Sequence, residues 1–164
     1  MSDPEFIPFP KIARLNRLVV VTEKIDGTNA QVLVTEDGDV FAGSRNRWLN
    51  PSGDNYGFAR WVEGNKPTLL QLGPGRHFGE WWGLGIQRGY GMDRKVFSLF
   101  NTGRWAEDAH LLPDGIRVVP VIDIGTFDSR LIDGALSGLR VRGSFAAPGF
   151  MQPEGIIVYM HASK

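Results

Sequence analysis

The sequence predicts an α+β domain of mostly antiparallel sheets flanked by helices. Three observations carry this. Segments rich in β-branched or alternating apolar residues follow one another at hairpin spacing, not at the longer spacing of βαβ units. Two amphipathic helical stretches fall between them. The 21 Gly and 10 Pro of the 164 residues are spread without a period, which punctuates short segments and disfavours a helical bundle. A chain of this length is one domain's worth, so residues 1–164 are read as a single domain.

The elements follow in order. Residues 18–23 are β-branched and bounded by polar residues, a buried strand that ends at Lys24. After Asp26-Gly27, residues 29–35 alternate through Val32 and Val34, and Asp37-Gly38 leads into Val40-Phe41-Ala42-Gly43-Ser44 as a hairpin with a type I′ turn. Phe58, Trp61 and Val62 stand at helical spacing behind Asp54 as cap, so a helix is expected over 54–65. Residues 76–82 and 95–100 are aromatic-rich strands, and 105–112 a short helix stopped by Pro113-Asp114-Gly115. Residues 116–122 form a strand that Pro120 consigns to an edge or a bulge. Phe127, Leu131, Ile132, Ala135, Leu136 and Leu139 share one stripe of a helix over 126–139, and 155–160 form the last strand.

Composition excludes several function classes. Eighteen Lys plus Arg balance eighteen Asp plus Glu, so no broad cationic surface grips nucleic acid, and any such contact is local. Without cysteine there is no disulfide, thiolate metal site or cysteine nucleophile. The acidic start lacks an apolar core and no apolar run reaches the roughly 18 residues of a membrane span, so a cytoplasmic protein without a membrane partner is expected.

The chemistry-bearing segment is Glu23-Lys24-Ile25-Asp26-Gly27-Thr28-Asn29, which holds a lysine amine at a sheet rim just before a turn. Alone, such a match equally describes a solvated lysine in a hairpin connection. Downstream follow Ser44-Arg45, Phe78-Gly79-Glu80-Trp81-Trp82-Gly83, Lys95-Val96-Phe97-Ser98-Leu99-Phe100 and Pro153-Glu154-Gly155-Ile156-Ile157-Val158. In this order and spacing they resemble the successive motifs of the covalent nucleotidyltransferases, the ATP-dependent ligases and mRNA capping enzymes. Glu-Lys-Ile-Asp-Gly-Thr-Asn with the following Ser-Arg is most similar to the nick-sealing RNA ligases of phage type, as is the lead-in 10–16.

The resemblance implies the nucleotidyltransferase (ATP-grasp-like) fold of DNA and RNA ligases, ATP with Mg2+ or Mn2+ as cofactors, and RNA ends or a nicked duplex as partner. It implies that Lys24 forms a lysyl-AMP phosphoramidate while pyrophosphate leaves. Attack on the α-phosphate requires an uncharged amine, a minority form for ordinary lysines near neutral pH, and a divalent cation with partial desolvation would favour it. On the same ground Glu23 reads the adenine edge, Ile25 belongs to the nucleotide site, and Asp26 and Glu80 orient ribose and nucleotide. Glu154, with Glu80, organises the metal and its water, while Asn29 and Arg45 engage phosphates and RNA termini. Phe100 or Phe97 stacks on the purine, since three positions apart on a strand they cannot both face the pocket.

Plainer readings stand beside these. Glu80 and Glu154 also fit ordinary strand-edge carboxylates, and Arg45 a solvated side chain. Trp81 and Trp82 read as core, and His77, His110 and His161, which lack metal-ligand spacing, as structural or exposed. Arg140 and Arg142 read as a solvated pair. The family's Lys-x-Lys motif beyond the last strand has no counterpart up to Lys164, and these 164 residues leave no room for an accessory C-terminal domain, unless the natural protein continues further. The expectation is a slow site, or one that borrows a cation from Lys66, Lys95 or an arginine. Two further readings remain open: a degraded nucleotide-binding module, and a DNA ligase or guanylyltransferase relative.

Overall fold

Two sheets face each other across a cleft, and helices cover their outer sides. The computed structural model describes residues 17–160; the lead-in 10–16, His161 and Lys164 lie outside them. A three-stranded sheet has the order β7-β1-β8, with β1 at Leu18–Lys24, β7 at Val121–Thr126 and β8 at Gly155–Met160. A five-stranded sheet has the order β3-β2-β4-β5-β6, with β2 at Thr28–Val34, β3 at Val40–Ser44, β4 at Gly75–Gly83, β5 at Lys95–Leu99 and β6 at Ile116–Val118. Every pairing is antiparallel except β5 with β6. The expected α+β class with mostly antiparallel sheets is observed.

Alternation along the strands assigns each side chain a face. In β2, Ala30, Val32 and Val34 point into a core with Phe58, Val62, Trp81 and Phe97, beneath α1 at Phe58–Gly64 and α2 at Lys66–Leu69. In β1, Val19 and Val21 face the other way, onto Ala135 of α4 at Ser129–Arg142, with Leu131, Ile132, Ile156 and Val158 around them. A third cluster of Ile25, Trp82, Tyr90, Val96, Val119 and Ala147 joins the two sheets where the chain crosses between them.

Several local expectations change. The β2–β3 connection is no type I′ turn, which needs positive φ at two central residues. Only Gly38 has it, at φ 84°, and the Gly38 N–H bonds to the Thr35 carbonyl at 3.1 Å while Thr35 Oγ1 takes the Asp39 N–H, so the loop is longer. Asp54 caps α1 from further back than expected: its carboxylate accepts the Ala59 and Arg60 N–H groups at 2.7 and 3.2 Å, but the helix starts only at Phe58. The segment over 105–112 is not one helix. A turn of helix, α3 at Thr102–Trp105, capped by Asn101, precedes a separate 3-10 turn at Ala109–Leu111. The expected strand 116–122 is two strands. Pro120 stands where the chain leaves the five-stranded sheet and enters the three-stranded one, and its carbonyl accepts the Glu23 N–H at the bulge between Val21 and Thr22. Helix α4 is shifted, beginning after the Asp128 cap and ending at Gly143.

Candidate active site

The inner faces of both sheets line a cleft of about 1390 Å³. From β1 come Leu18, Val20, Thr22 and Lys24, every second residue, joined at the strand end by Glu23, so the phase of the strand brings the lysine to the cleft. Register places Thr22 opposite Ile157 and Val20 opposite Tyr159 and Ile124, which gives this wall an apolar stretch beyond the lysine. The facing wall carries Asn29, Phe78, Glu80 and Phe100.

Lys24 is ion-paired with Glu154, whose neighbour Gly155 lies opposite Lys24 in the β1–β8 register. From Lys24 the chain crosses to the other sheet through Ile25, Asp26 and Gly27. Gly27 is required there by close approach: a Cβ would sit 2.5 Å from the Trp81 carbonyl and 2.7 Å from Trp82 Cβ. The Gly27 N–H donates to Glu80 Oε1 at 3.1 Å, and Asn29 Nδ2 donates to Glu80 Oε2 at 3.1 Å. Arg45 in turn donates to Asn29 Oδ1, so arginine, amide and carboxylate form one chain along the cleft rim. Burial pushes the Glu80 carboxyl up to about 7, against the lowering effects of the Gly27 N–H, the Lys24 charge and Asn29; the Glu154 charge adds to the rise. Near neutral pH Glu80 therefore exists in both forms, able to accept or donate a hydrogen bond.

Two anchors escaped the sequence reading. Arg88 Nε pairs with Asp26 Oδ2 at 3.4 Å. The buried Tyr90, in the left-handed region at φ 52°, accepts the Asp26 N–H at 2.9 Å and also meets the Glu154 backbone; burial raises its phenol above the ordinary range. One hydroxyl thus ties the turn after Lys24 to the start of β8. Neither residue belongs to a recognisable motif; the Gly-Tyr-Gly run 89–91 is the one local hint of an unusual backbone.

The structure brings together Lys24, Asp26, Asn29, Arg45, Glu80, Glu154 and Phe100 on this cleft. Two of the predicted residues also serve the interior. The Glu23 carboxylate, expected at the adenine edge, is buried and accepts the Ser144 hydroxyl at 2.6 Å and the Phe145 and Ala146 N–H groups at 2.7 and 2.9 Å, while the residue borders the cleft beside Lys24. Ile25 packs into the inter-sheet cluster and, as a neighbour of Lys24, also borders the cleft. Of the two phenylalanines, Phe97 is buried against Phe58 and Phe100 stands in the cleft. Trp81 and Trp82 are core, His77 is buried with its Nε2 on the Gly73 carbonyl at 2.9 Å, and His110 is exposed.

Among the described residues no three His, Asp or Glu side chains converge as a ready-made metal cage. A hydrated Mg2+ or Mn2+ needs only one or two carboxylates plus substrate phosphates. Glu154 fits that demand, on the cleft with a carboxylate paired, among the described residues, with the lysine it would share with a nucleotide. Glu80 fits it less well, because both oxygens already hold protein donors. Among the described residues no helix is long and apolar enough to cross a membrane.

Among solved structures, Naegleria gruberi RNA ligase shares this fold. An apo lysine-to-alanine variant of it aligns with TM-score 0.59 at 19% identity, over 96% of this chain and 54% of that one. A second lysine-to-alanine variant, with ATP and Mn, aligns at 0.57 and 18% identity, over 98% and 57%. A glutamate-to-alanine variant with ATP and Mn aligns at 0.54 and 21%, over 75% and 45%. The chain spans about half the length of these ligases. Among curated proteins none matches. A family model described as RNA ligase matches residues 17–163. With that match running through every strand that carries the cleft, the chain belongs to the RNA ligase family.

Proposed function

We propose that this chain is the adenylyl-transferring part of an ATP-dependent RNA ligase that joins 5′-phosphate and 3′-hydroxyl RNA ends. One observation carries the reading: a lysine amine at the end of β1 stands beside Glu154 in a cleft whose opposite wall offers Glu80 and Phe100. The Lys24 nitrogen attacks the α-phosphorus of ATP, the bond to the bridging oxygen breaks, and pyrophosphate leaves as the amine proton passes to solvent. The resulting P–N bond holds AMP on Lys24. The adenylyl group then moves to an RNA 5′-phosphate, and attack by the 3′-hydroxyl forms the phosphodiester and releases AMP.

The chain's own residues hold and orient. Phe100 from one wall and Ile157 from the other present two apolar faces for a purine. Glu80 and Asp26 meet the ribose side, and Glu80 in either protonation state can pair with a hydroxyl. Arg45, steadied by Asn29, presents its guanidinium to phosphate at the rim. Glu154 would hold a hydrated Mg2+ or Mn2+, which when bound neutralises charge on the phosphates. With zero net charge, RNA contact is local and not spread over a broad cationic surface.

The test is incubation with ATP labelled on the α-phosphate and Mg2+ or Mn2+, followed by a denaturing gel. Covalent label that disappears in Lys24→Ala is the expected result. Label from GTP in place of ATP would make the chain a guanylyltransferase relative, and no label from either would leave a nucleotide-binding module.

A further inference from the structure

The cleft-facing side of the five-stranded sheet does not stop at the polar site. Antiparallel register puts Asn29 beside Glu80, Gln31 beside Phe78 and Leu33 beside Arg76, all on this face, with Phe41 opposite Leu33 on the edge strand. A tight turn after β3 carries the Ser44 N–H to the Arg47 carbonyl at 2.8 Å and pairs Trp48 with Gly43, which lays the indole on the same face. There Trp48 meets Phe41, ring centroids 6.0 Å apart, and the Arg76 guanidinium lies 5.3 Å from the Trp48 ring centre while donating to Gln31 Oε1 at 3.1 Å. The three rings Phe41, Trp48 and Phe78 are each about half exposed, at 47%, 48% and 52%, although each has apolar surface to bury. A small recess of about 310 Å³, lined by Gln31, Arg45, Phe78 and Phe100, connects this strip to the cleft.

We infer that this strip, from Arg45 through Phe78 and Arg76 to Trp48 and Phe41, is a track for the unpaired end of an RNA strand leading into the cleft. The inference rests on the proposed ligase reading and assigns the surface by which that site takes its substrate. Exposed aromatic rings alternating with arginines are the chemistry of single-strand binding, in which bases stack on rings and guanidinium planes while charge follows the phosphates. A duplex, its bases already stacked, has no use for exposed rings. Charge sets both limits of the track: Arg45 stands at the inner end beside Asn29, and the acidic turn with Glu36, Asp37 and Asp39 closes the outer end. Between them lie the five residues from Asn29 to Leu33, four strand steps or about 13 Å.

The test compares, at one salt concentration, the affinity of the 164-residue protein for a short fluorescent single-stranded RNA and for a blunt duplex of the same sequence. Trp48→Ala and Arg76→Ala should each weaken single-strand binding by roughly tenfold, Trp48→Phe should bind nearly as the wild type, and duplex affinity should stay within about twofold. Lysyl-AMP formation from ATP without RNA should be unchanged in all three. Single-strand affinity unaffected by Trp48→Ala, equal losses on the duplex, or no single-strand binding by the wild type would each overturn the track. The two readings fail separately: Trp48-dependent RNA binding without lysyl-AMP keeps the track and ends the ligase assignment, and lysyl-AMP with Trp48-independent binding does the reverse.

Discussion

Lys24 and Glu154, 130 residues apart in the chain, are ion-paired where the end of β1 lies beside the start of β8. Both side chains are partly exposed, so the pair adds at most about 1 kcal/mol to stability. Its value is positional, because it joins the amine to the carboxylate that would hold the metal. Glu154→Ala is therefore expected to melt within a few degrees of the wild type yet lose roughly a hundredfold in the rate of covalent labelling from ATP. A melting curve and a labelling time course decide it; labelling near the wild-type rate would remove Glu154 from the site.

Glu80 makes the fold pH-dependent. Its folded value of about 7 lies above the ordinary 4.5, so the native state keeps a proton that the unfolded chain releases. Stability from this group is greatest below about pH 4.5, falls as pH rises through that window, and is gone above about pH 7. Urea midpoints at about pH 5 and about pH 8 should show the wild type losing roughly 2 to 3 kcal/mol more than Glu80→Gln across the interval. Parallel curves for the two proteins would mean that Glu80 titrates normally.

Glu23 is a structural carboxylate. Replacing it with Ala strands the Ser144 hydroxyl and the Phe145 and Ala146 N–H groups, at a cost of roughly 3 kcal/mol or more, whereas Glu23→Gln keeps one accepting oxygen and should cost less than half as much. Preference for ATP over GTP in the labelling assay should be the same in Glu23→Gln as in the wild type. A shift towards GTP would return this side chain to base recognition.

Tyr90→Phe removes one oxygen from the molecule's interior and with it the partner of the Asp26 N–H. The expected loss is about 1 to 2 kcal/mol of stability. Because the same hydroxyl steadies the turn after Lys24 against β8, labelling at saturating ATP should also slow by about tenfold. A variant that is less stable but labels at the full rate would confine Tyr90 to packing.

Strand positions and the order of the motifs were legible because they rest on period-two alternation and turn residues, which act within a few positions. The hydrogen bonds that bury the Glu23 carboxylate were not legible, since its partners Ser144, Phe145 and Ala146 lie more than 120 residues away. Pro120 was legible as an interruption, but nothing local announces that the chain changes sheets there. The Arg88–Asp26 pair, the Tyr90 tie and the raised Glu80 carboxyl were not legible at all. By itself the sequence determined the family motifs, their order and the rhythm of the elements that hold them, because backbone sterics and side-chain alternation are local. Only the tertiary structure decided which of those groups meet and how each is charged, because desolvation and hydrogen bonds between distant segments come into being when the two sheets close on one another.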